Sequence, residues 1–231
     1  MAIYLGTNEV NFVSGKKSRL DEIIKDTISG AFENSEVTRI KAGAFAYCSQ
    51  LTSINFPNCS EIEAYAFVNC SLLTNVSFPK CTIVGSSAFA ACKTLESINL
   101  PNCTTVNEGA FAQCSALTTV NLSKCTVLGL DIGYFGTSPF SGCSALTAVY
   151  APICSSIFAS TFSKCYNLIS LYLTSVSSVT TLGFNAFSST PIGGYSTSAG
   201  RYGSVFVPAS LYSSFLTATN WSNISDRIVS V

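Results

Sequence analysis

The chain has 231 residues, with 12 lysines and arginines against 12 aspartates and glutamates and no histidine; only 10% of it is charged and 48% is hydrophobic. Zero net charge removes the field that gathers nucleic acid or anionic lipid, and the lack of histidine removes Ser/His/Asp and Cys/His catalysis and His-ligated zinc. The composition is too apolar for a disordered chain, yet no apolar run approaches the roughly 18 residues that would span a bilayer.

The first 35 residues read as a cap. Residues 3–5 and 9–13 flank Gly6-Thr7-Asn8 as a hairpin. Neither the basic stretch nor the apolar stretch of a secretory signal is visible before it. Ser18-Arg19-Leu20-Asp21 opens like a capping box, and Leu20, Ile23, Ile24 and Ile28 recur at helical spacing, which predicts a cap helix over 19–29 ended by Gly30.

From residue 36 the sequence repeats. Cysteines fall at 48, 59, 70, 81, 92, 103, 114 and 125, each eleven after the last, and then at 143, 154 and 165. They form two interleaved rows. Cys48, Cys70, Cys92, Cys114, Cys143 and Cys165 each follow a phenylalanine by three residues; Cys59, Cys81, Cys103, Cys125 and Cys154 make the second row. Between the rows lie segments such as Leu51-Thr52-Ser53-Ile54-Asn55-Phe56-Pro57, whose apolar residues end in a period of two and predict a short strand buried on one face, with prolines such as Pro57, Pro79 and Pro101 as stops. After the second cysteine come Ile62, Val84, Val106, Leu128 and Ile157, so each 22-residue unit turns again and makes one coil.

A single coil cannot bury its own apolar side chains, so stacking creates the core. Six clear units and a decayed seventh, with Leu182 and Phe187 in register but Val176 or Val179 and Thr190 in the cysteine places, span 36–208, with insertions at 129–139 and 188–203. At roughly 4.8 Å per coil, seven coils make an array on the order of 34 Å long. Val205-Phe206-Val207-Pro208 reads as a last strand, Leu211 and Phe215 predict a second cap helix over 209–218, and Trp221, Ile224, Ile228 and Val229 close the last coil. The expected organisation is one domain over 1–231, with caps at 1–35 and 209–231.

The pattern A-F-x-x-C-x-x-L-x-x-[IV]-x-[FL]-P-x-C, carried by residues 44–59, resembles the BspA-like, or treponemal-type, leucine-rich repeat. That resemblance implies an α/β repeat solenoid: a right-handed leucine-rich-repeat superhelix with a concave parallel β-sheet and short helical or irregular convex segments. It also implies surface or secreted adhesion and binding proteins of bacteria and some protists, without enzymatic activity. No export signal or cell-wall anchor of the kind found in that family is visible, so a surface location is an expectation from the resemblance alone.

The cysteines read as small buried hydrophobes. No histidine and few lysines or arginines stand near enough to lower their pKa, and valine replaces them in the decayed unit. A disulfide ladder is the rival, since neighbouring coils would hold equivalent Cα atoms roughly 4.8 Å apart, inside the range a bridge tolerates. Without an export signal, reduced thiols are expected. Glu61 and Glu63 lie two apart and read as a solvated flank, not as a facing acid pair, and Lys80 and Lys124 fill a polar turn that Asn58 and Asn102 fill elsewhere.

The outward positions of the main strands carry the functional reading. Five and seven residues after each first-row cysteine stand Ser53/Asn55, Asn75/Ser77, Ser97/Asn99, Thr119/Asn121, Ala148/Tyr150 and Ser170/Tyr172, with Ser204/Phe206 on the last strand. This face is uncharged and small, then aromatic. Tyr150, Tyr172 and Phe206 are expected to be apolar anchors, Asn55, Asn75, Asn99 and Asn121 polar readers, and Tyr202 with Arg201 a rim contact. The expected partner is a protein or glycan ligand, with no nucleic acid, no membrane insertion, no metal and no cofactor. The alternative is a structural spacer or phage-like appendage attached through its first 17 residues. The insertion at 129–139 adds Tyr134 and Phe135 to a side that the sequence does not specify.

Overall fold

The computed structural model describes residues 29–129, 138–194 and 200–231, together with the backbone strands at 4–6 and 9–11. Each coil lays one strand on a long face and one on a short face. The long-face strands are Gly30–Glu33, Leu51–Asn55, Asn75–Ser77, Ser97–Asn99, Thr119–Asn121, Ala148–Tyr150, Ser170–Tyr172, Ser204–Val207 and Ile228–Ser230. They are parallel and form two hydrogen-bonded sheets of three and six strands, with the ladder interrupted between Asn75–Ser77 and Ser97–Asn99. The short face stacks two-residue strands so that Ile40, Ile62, Val84, Val106, Leu128, Ile157 and Leu182 pair in series.

At the N-terminus Tyr4–Gly6 pairs antiparallel with Glu9–Asn11, which pairs parallel with Arg39–Ile40 and so extends the short face. The predicted helix over 19–29 lies outside the described residues, apart from its last position. So do residues 130–137 and 195–199 of the two insertions.

The core follows from the repeat. Phe45, Phe67, Phe89, Phe111, Phe140, Phe162 and Phe187 stack from coil to coil with ring centroids 5.0 to 5.6 Å apart and planes within 12° of parallel. Those centroid separations exceed ring thickness, so the rings are offset, as their quadrupoles prefer. The leucines, the short-face residues and both cysteine rows fill the remainder and are almost completely buried.

The segments joining short face to long face are turns, not helices. In every described coil the residue just before the first-row position is left-handed, with φ between +58° and +78° at Tyr47, Asn69, Ala91, Gln113, Gly142, Lys164 and Ser189. The residue five before it is left-handed too at Gly43, Tyr65, Ser87, Gly109, Ser160 and Asn185. This alternation turns two or three N–H groups per coil toward the next coil, as in Tyr65 to the Ser86 carbonyl at 2.8 Å, Phe67 to Ala88 at 2.7 Å and Asn69 to Ala90 at 2.8 Å. A helix would fold those donors back into their own coil and break this third ladder. The left-handed backbone costs a non-glycine residue roughly 1–2 kcal/mol, and the ladder offsets it by pairing groups that would otherwise be buried unpaired.

The C-terminal cap is a 3-10 turn, Ala209–Leu211, followed by an α-helix, Tyr212–Thr217, that buries Phe215. Trp221 and Ile224 then pack beneath it, and Val229, on the outer strand, remains exposed. Side chains here replace a missing coil. The Ser155 and Ile157 carbonyls accept from Thr181 and Gly183 of the following coil. Their equivalents one coil later, Thr180 and Leu182, accept instead from Trp221 Nε1 and Asn220 Nδ2, both at 2.6 Å.

Candidate binding face

Register places the outward residues of the long face in two rows. Ser53 pairs with Asn75, and beyond the interruption Ser97, Thr119, Ala148, Ser170 and Ser204 follow in series. The second row runs Asn55 to Ser77 and then Asn99, Asn121, Tyr150, Tyr172, Phe206 and Val229. Asn75 therefore stands in a different row from Asn55, Asn99 and Asn121.

The three aromatic residues are contiguous. The Tyr150 and Tyr172 rings are 6.1 Å apart and tilted by 47°, while Tyr172 and Phe206 stack at 4.8 Å and 10°. Tyr150 is 45% exposed, and the other two are half-buried by their neighbours. A shallow groove of about 430 Å³ runs beside them, lined by Ser97, Asn99, Thr119, Asn121, Ala148, Tyr150 and Tyr172 with Ile98 and Val120 at its floor. No charged side chain lines it. A second groove shares Ser97 and Asn99 and continues to Phe32 and Glu33, across the interruption in the ladder.

The asparagines are partly committed to one another and to neighbours. Asn121 Nδ2 donates to Asn99 Oδ1 at 3.0 Å, Ser123 donates to Asn121 Oδ1 at 2.6 Å, Asn55 Nδ2 donates to Glu33 at 2.8 Å and Asn75 Nδ2 donates to the Thr74 hydroxyl at 3.0 Å. Tyr202 is exposed, with the Arg227 guanidinium 4.2 Å from its ring centre, and Arg201 is exposed beside it. Sequence reasoning missed Arg227 because 25 residues separate it from Tyr202. Val229, besides closing the last coil, prolongs the aromatic row to the last strand.

The remaining reactive side chains have structural partners. Glu61 and Glu63 are not simply solvated: Arg39 lies 2.8 Å from a carboxylate oxygen of each, and Glu63 also accepts the Ala42 N–H. All eleven cysteines are free and buried. Their thiols do more than fill space. In the first row the sulfurs of Cys70, Cys92, Cys114, Cys143 and Cys165 each donate to the phenylalanine carbonyl one coil back, as in Cys70 to Phe45 at 3.0 Å and Cys92 to Phe67 at 3.2 Å. Second-row thiols donate two residues ahead, as in Cys103 to the Thr105 carbonyl at 3.2 Å. Burial pushes the Cys59, Cys103 and Cys154 thiols up to about 11 and Cys114 and Cys165 up to about 12. These are unreactive sulfurs. Native protein at neutral pH will resist iodoacetamide, and denatured protein will alkylate at all eleven; fast labelling of the native form would contradict this burial. Among the described residues no group of three or more cysteines and carboxylates is placed to hold a metal ion, and no helix is long and apolar enough to cross a membrane.

Parallel coils stacked on a phenylalanine and cysteine core define a β-solenoid of the leucine-rich-repeat class. The sequence profile described as the BspA type leucine rich repeat region matches in six copies over residues 26–132 and 128–198, and the chain belongs to that family. Such proteins are generally binding scaffolds, and no catalytic family is indicated. Among solved structures, the T. pallidum leucine-rich repeat protein TpLRR is 21% identical with a TM-score of 0.55, over 66% of this chain and 72% of that one. A leucine-rich repeat protein from Eubacterium ventriosum is 23% identical with a TM-score of 0.59, over 71% of this chain and 43% of that one, so the match spans less than half of that protein. Both likenesses are of fold. No curated protein matches the chain.

Proposed function

We propose that this protein is a non-enzymatic, adhesin-like receptor that grips a protein or glycan along its long face, the concave side of a right-handed array. The observation that carries this reading is the contiguous aromatic row Tyr150, Tyr172 and Phe206 beside an uncharged groove. Aromatic side chains exposed on a sheet give broad contact area at low entropic cost, and amide and hydroxyl rows supply donors and acceptors without the desolvation penalty of charge. Arg201 and Tyr202 make the rim at that end, and Asn55, Asn75, Asn99 and Asn121 read the polar groups of the ligand.

Screening the purified protein against glycans and matrix proteins, with a Tyr150→Ala/Tyr172→Ala variant alongside, tests this. Affinity is expected to fall at least tenfold in the variant while the circular dichroism and melting temperature stay close to wild type. Equal binding by both forms would move the site elsewhere. The mutual pairing of Asn99 with Asn121 supports a second reading, a rigid spacer whose amides satisfy each other; that reading gains if neither form binds anything.

A further inference from the structure

The third ladder ends with its donors open. In four of the six earlier coils three N–H groups, at alternate residues, reach three separate carbonyls of the following coil, and in the coils of Phe111 and Phe140 two do. The last repeat of this ladder still supplies its own carbonyls backward, with Ser160 donating to Phe184 at 3.1 Å, Phe162 to Ala186 at 2.8 Å and Lys164 to Ser188 at 2.9 Å. Its matching donors, the N–H groups of Asn185, Phe187 and Ser189, have no partner among the described residues. Asn185 and Ser189 keep the left-handed φ of +54° and +58° that aims those donors along the array. The short-face ladder is capped by Trp221 and Asn220 and the long-face ladder ends on Ile228–Ser230, whereas among the described residues no side chain meets these three donors.

A second feature marks the same place. Phe184 occupies a position that holds Ala42, Ala64, Ser86, Glu108 and Ala159 in other coils, and its ring is 61% exposed. Phe184 and Asn185 line one side of a pocket of about 180 Å³, with Asn223 and Ile224 of the C-terminal cap among the residues completing it. Two of the three donor residues, Asn185 and Phe187, thus line the same cleft as an exposed apolar ring, with Ser189 just beyond Ser188 at its edge.

We propose that this end of the array binds an extended peptide by strand addition, with the Asn185, Phe187 and Ser189 N–H groups each taking one peptide carbonyl and Phe184 packing against an apolar side chain. The chemistry of the occupant follows from how the other coils fill these donors. The middle donor takes the carbonyl of Ala66, Ala88, Ala110, Pro139, Thr161 or Ala186, alanine in four coils of six, and the last donor that of Val68, Ala90, Ala112, Ser141, Ser163 or Ser188. A phenylalanine between them would stack on the ring below, but here Trp221 already stands 6.2 Å from Phe187. The peptide is therefore small at its middle residues, rich in glycine, alanine and serine, with an apolar residue at its leading end. Three donors strung along alternate residues suit a chain of carbonyls better than a single compact anion.

The test titrates isotope-labelled protein with acetyl-Leu-Gly-Ala-Gly-Ser-Gly-amide while following amide signals. Without peptide, the Asn185, Phe187 and Ser189 amides should exchange with solvent at least a hundredfold faster than Tyr65, Phe67 and Asn69. With peptide, they should move downfield saturably and gain protection. Phe184→Ala, a change at an exposed position, should weaken binding about tenfold without unfolding the protein. The proposal is overturned if saturating peptide leaves the three amides unmoved, or if inorganic phosphate shifts them equally. Shifts confined to Asn121 and Tyr150 would also overturn it, while supporting the long-face reading.

Discussion

Between about pH 9 and pH 11 this protein will lose much of its stability, and the cysteine rows will drive the loss. Nine thiols, those of Cys59, Cys81, Cys92, Cys103, Cys114, Cys125, Cys143, Cys154 and Cys165, are held above the ordinary value of 9.0, first by burial. For several of them, including Cys81 and Cys143, neighbouring cysteines of the same row add repulsion between thiolates. The unfolded chain releases these protons from about pH 9, whereas the folded chain keeps them to about 11 or beyond. A raised folded pKa contributes its stability in full below the unfolded value and loses it as pH climbs toward the folded value. Each such thiol costs up to about 1.4 kcal/mol per pH unit in that window, and nine together up to about 13 kcal/mol per pH unit, comparable with the about 5–15 kcal/mol that holds a typical domain. Urea midpoints measured with reductant at pH 7.5, 9 and 10 should fall steeply between the last two. A midpoint at pH 10 equal to that at pH 7.5 would refute the argument, and a Cys103→Val variant should show a shallower slope.

The second large effect lies at the C-terminal cap. Trp221→Ala will lower the melting temperature by on the order of 10–20 °C. The indole is fully buried, 5.0 Å from Phe215 in an edge-on contact, and its N–H takes the Thr180 carbonyl that would otherwise face a missing coil. Emptying that space costs about 3–5 kcal/mol, the unpaired carbonyl about 1–3 more, and a chain of this size loses roughly 2–4 °C per kcal/mol. Trp221→Phe separates the two contributions, keeping most of the ring and removing only the donor, so a fall of a few degrees is expected. A Trp221→Phe protein that melts with wild type would show that the hydrogen bond does not matter to the cap. Asn220→Ala should resemble Trp221→Phe, since it orphans the Leu182 carbonyl in the same way.

Where side chains recur, the sequence was legible. An eleven-residue cysteine spacing and a phenylalanine three before alternate cysteines are enough to place the core, and period-two alternation places Tyr150, Tyr172 and Phe206 in one row. What recurs only in the backbone was hidden. Tyr47, Ala91, Gln113 and Lys164 are not residues that advertise a left-handed turn, and they adopt it because the ladder to the next coil demands it. Valine for cysteine suggested that volume alone mattered, so the thiol hydrogen bonds to phenylalanine carbonyls went unseen. Contacts between coils with no sequence periodicity, such as Arg39 with Glu61 and Glu63 or Asn220 with Leu182, carry no local signal either. The insertion after Ser188 disguised one substitution. Tyr202 falls where register calls for a core leucine, and Ile192, fully buried, occupies the adjoining core while the tyrosine turns outward to Arg227.

The left-handed corner also gives an electrically neutral molecule a direction. Along the strands of either face, N–H groups point alternately forward and back and their dipoles nearly cancel. At the corner they do not: in coil after coil the ladder donors point toward the C-terminal end and the carbonyls that meet them point toward the N-terminal end. Peptide dipoles aligned head to tail add, as they do in a helix, where they amount to about half an elementary charge at each end. The corner therefore carries a partial positive charge where it ends, at Asn185, Phe187 and Ser189. A net charge of zero thus still leaves a place on the array that favours oxygen lone pairs.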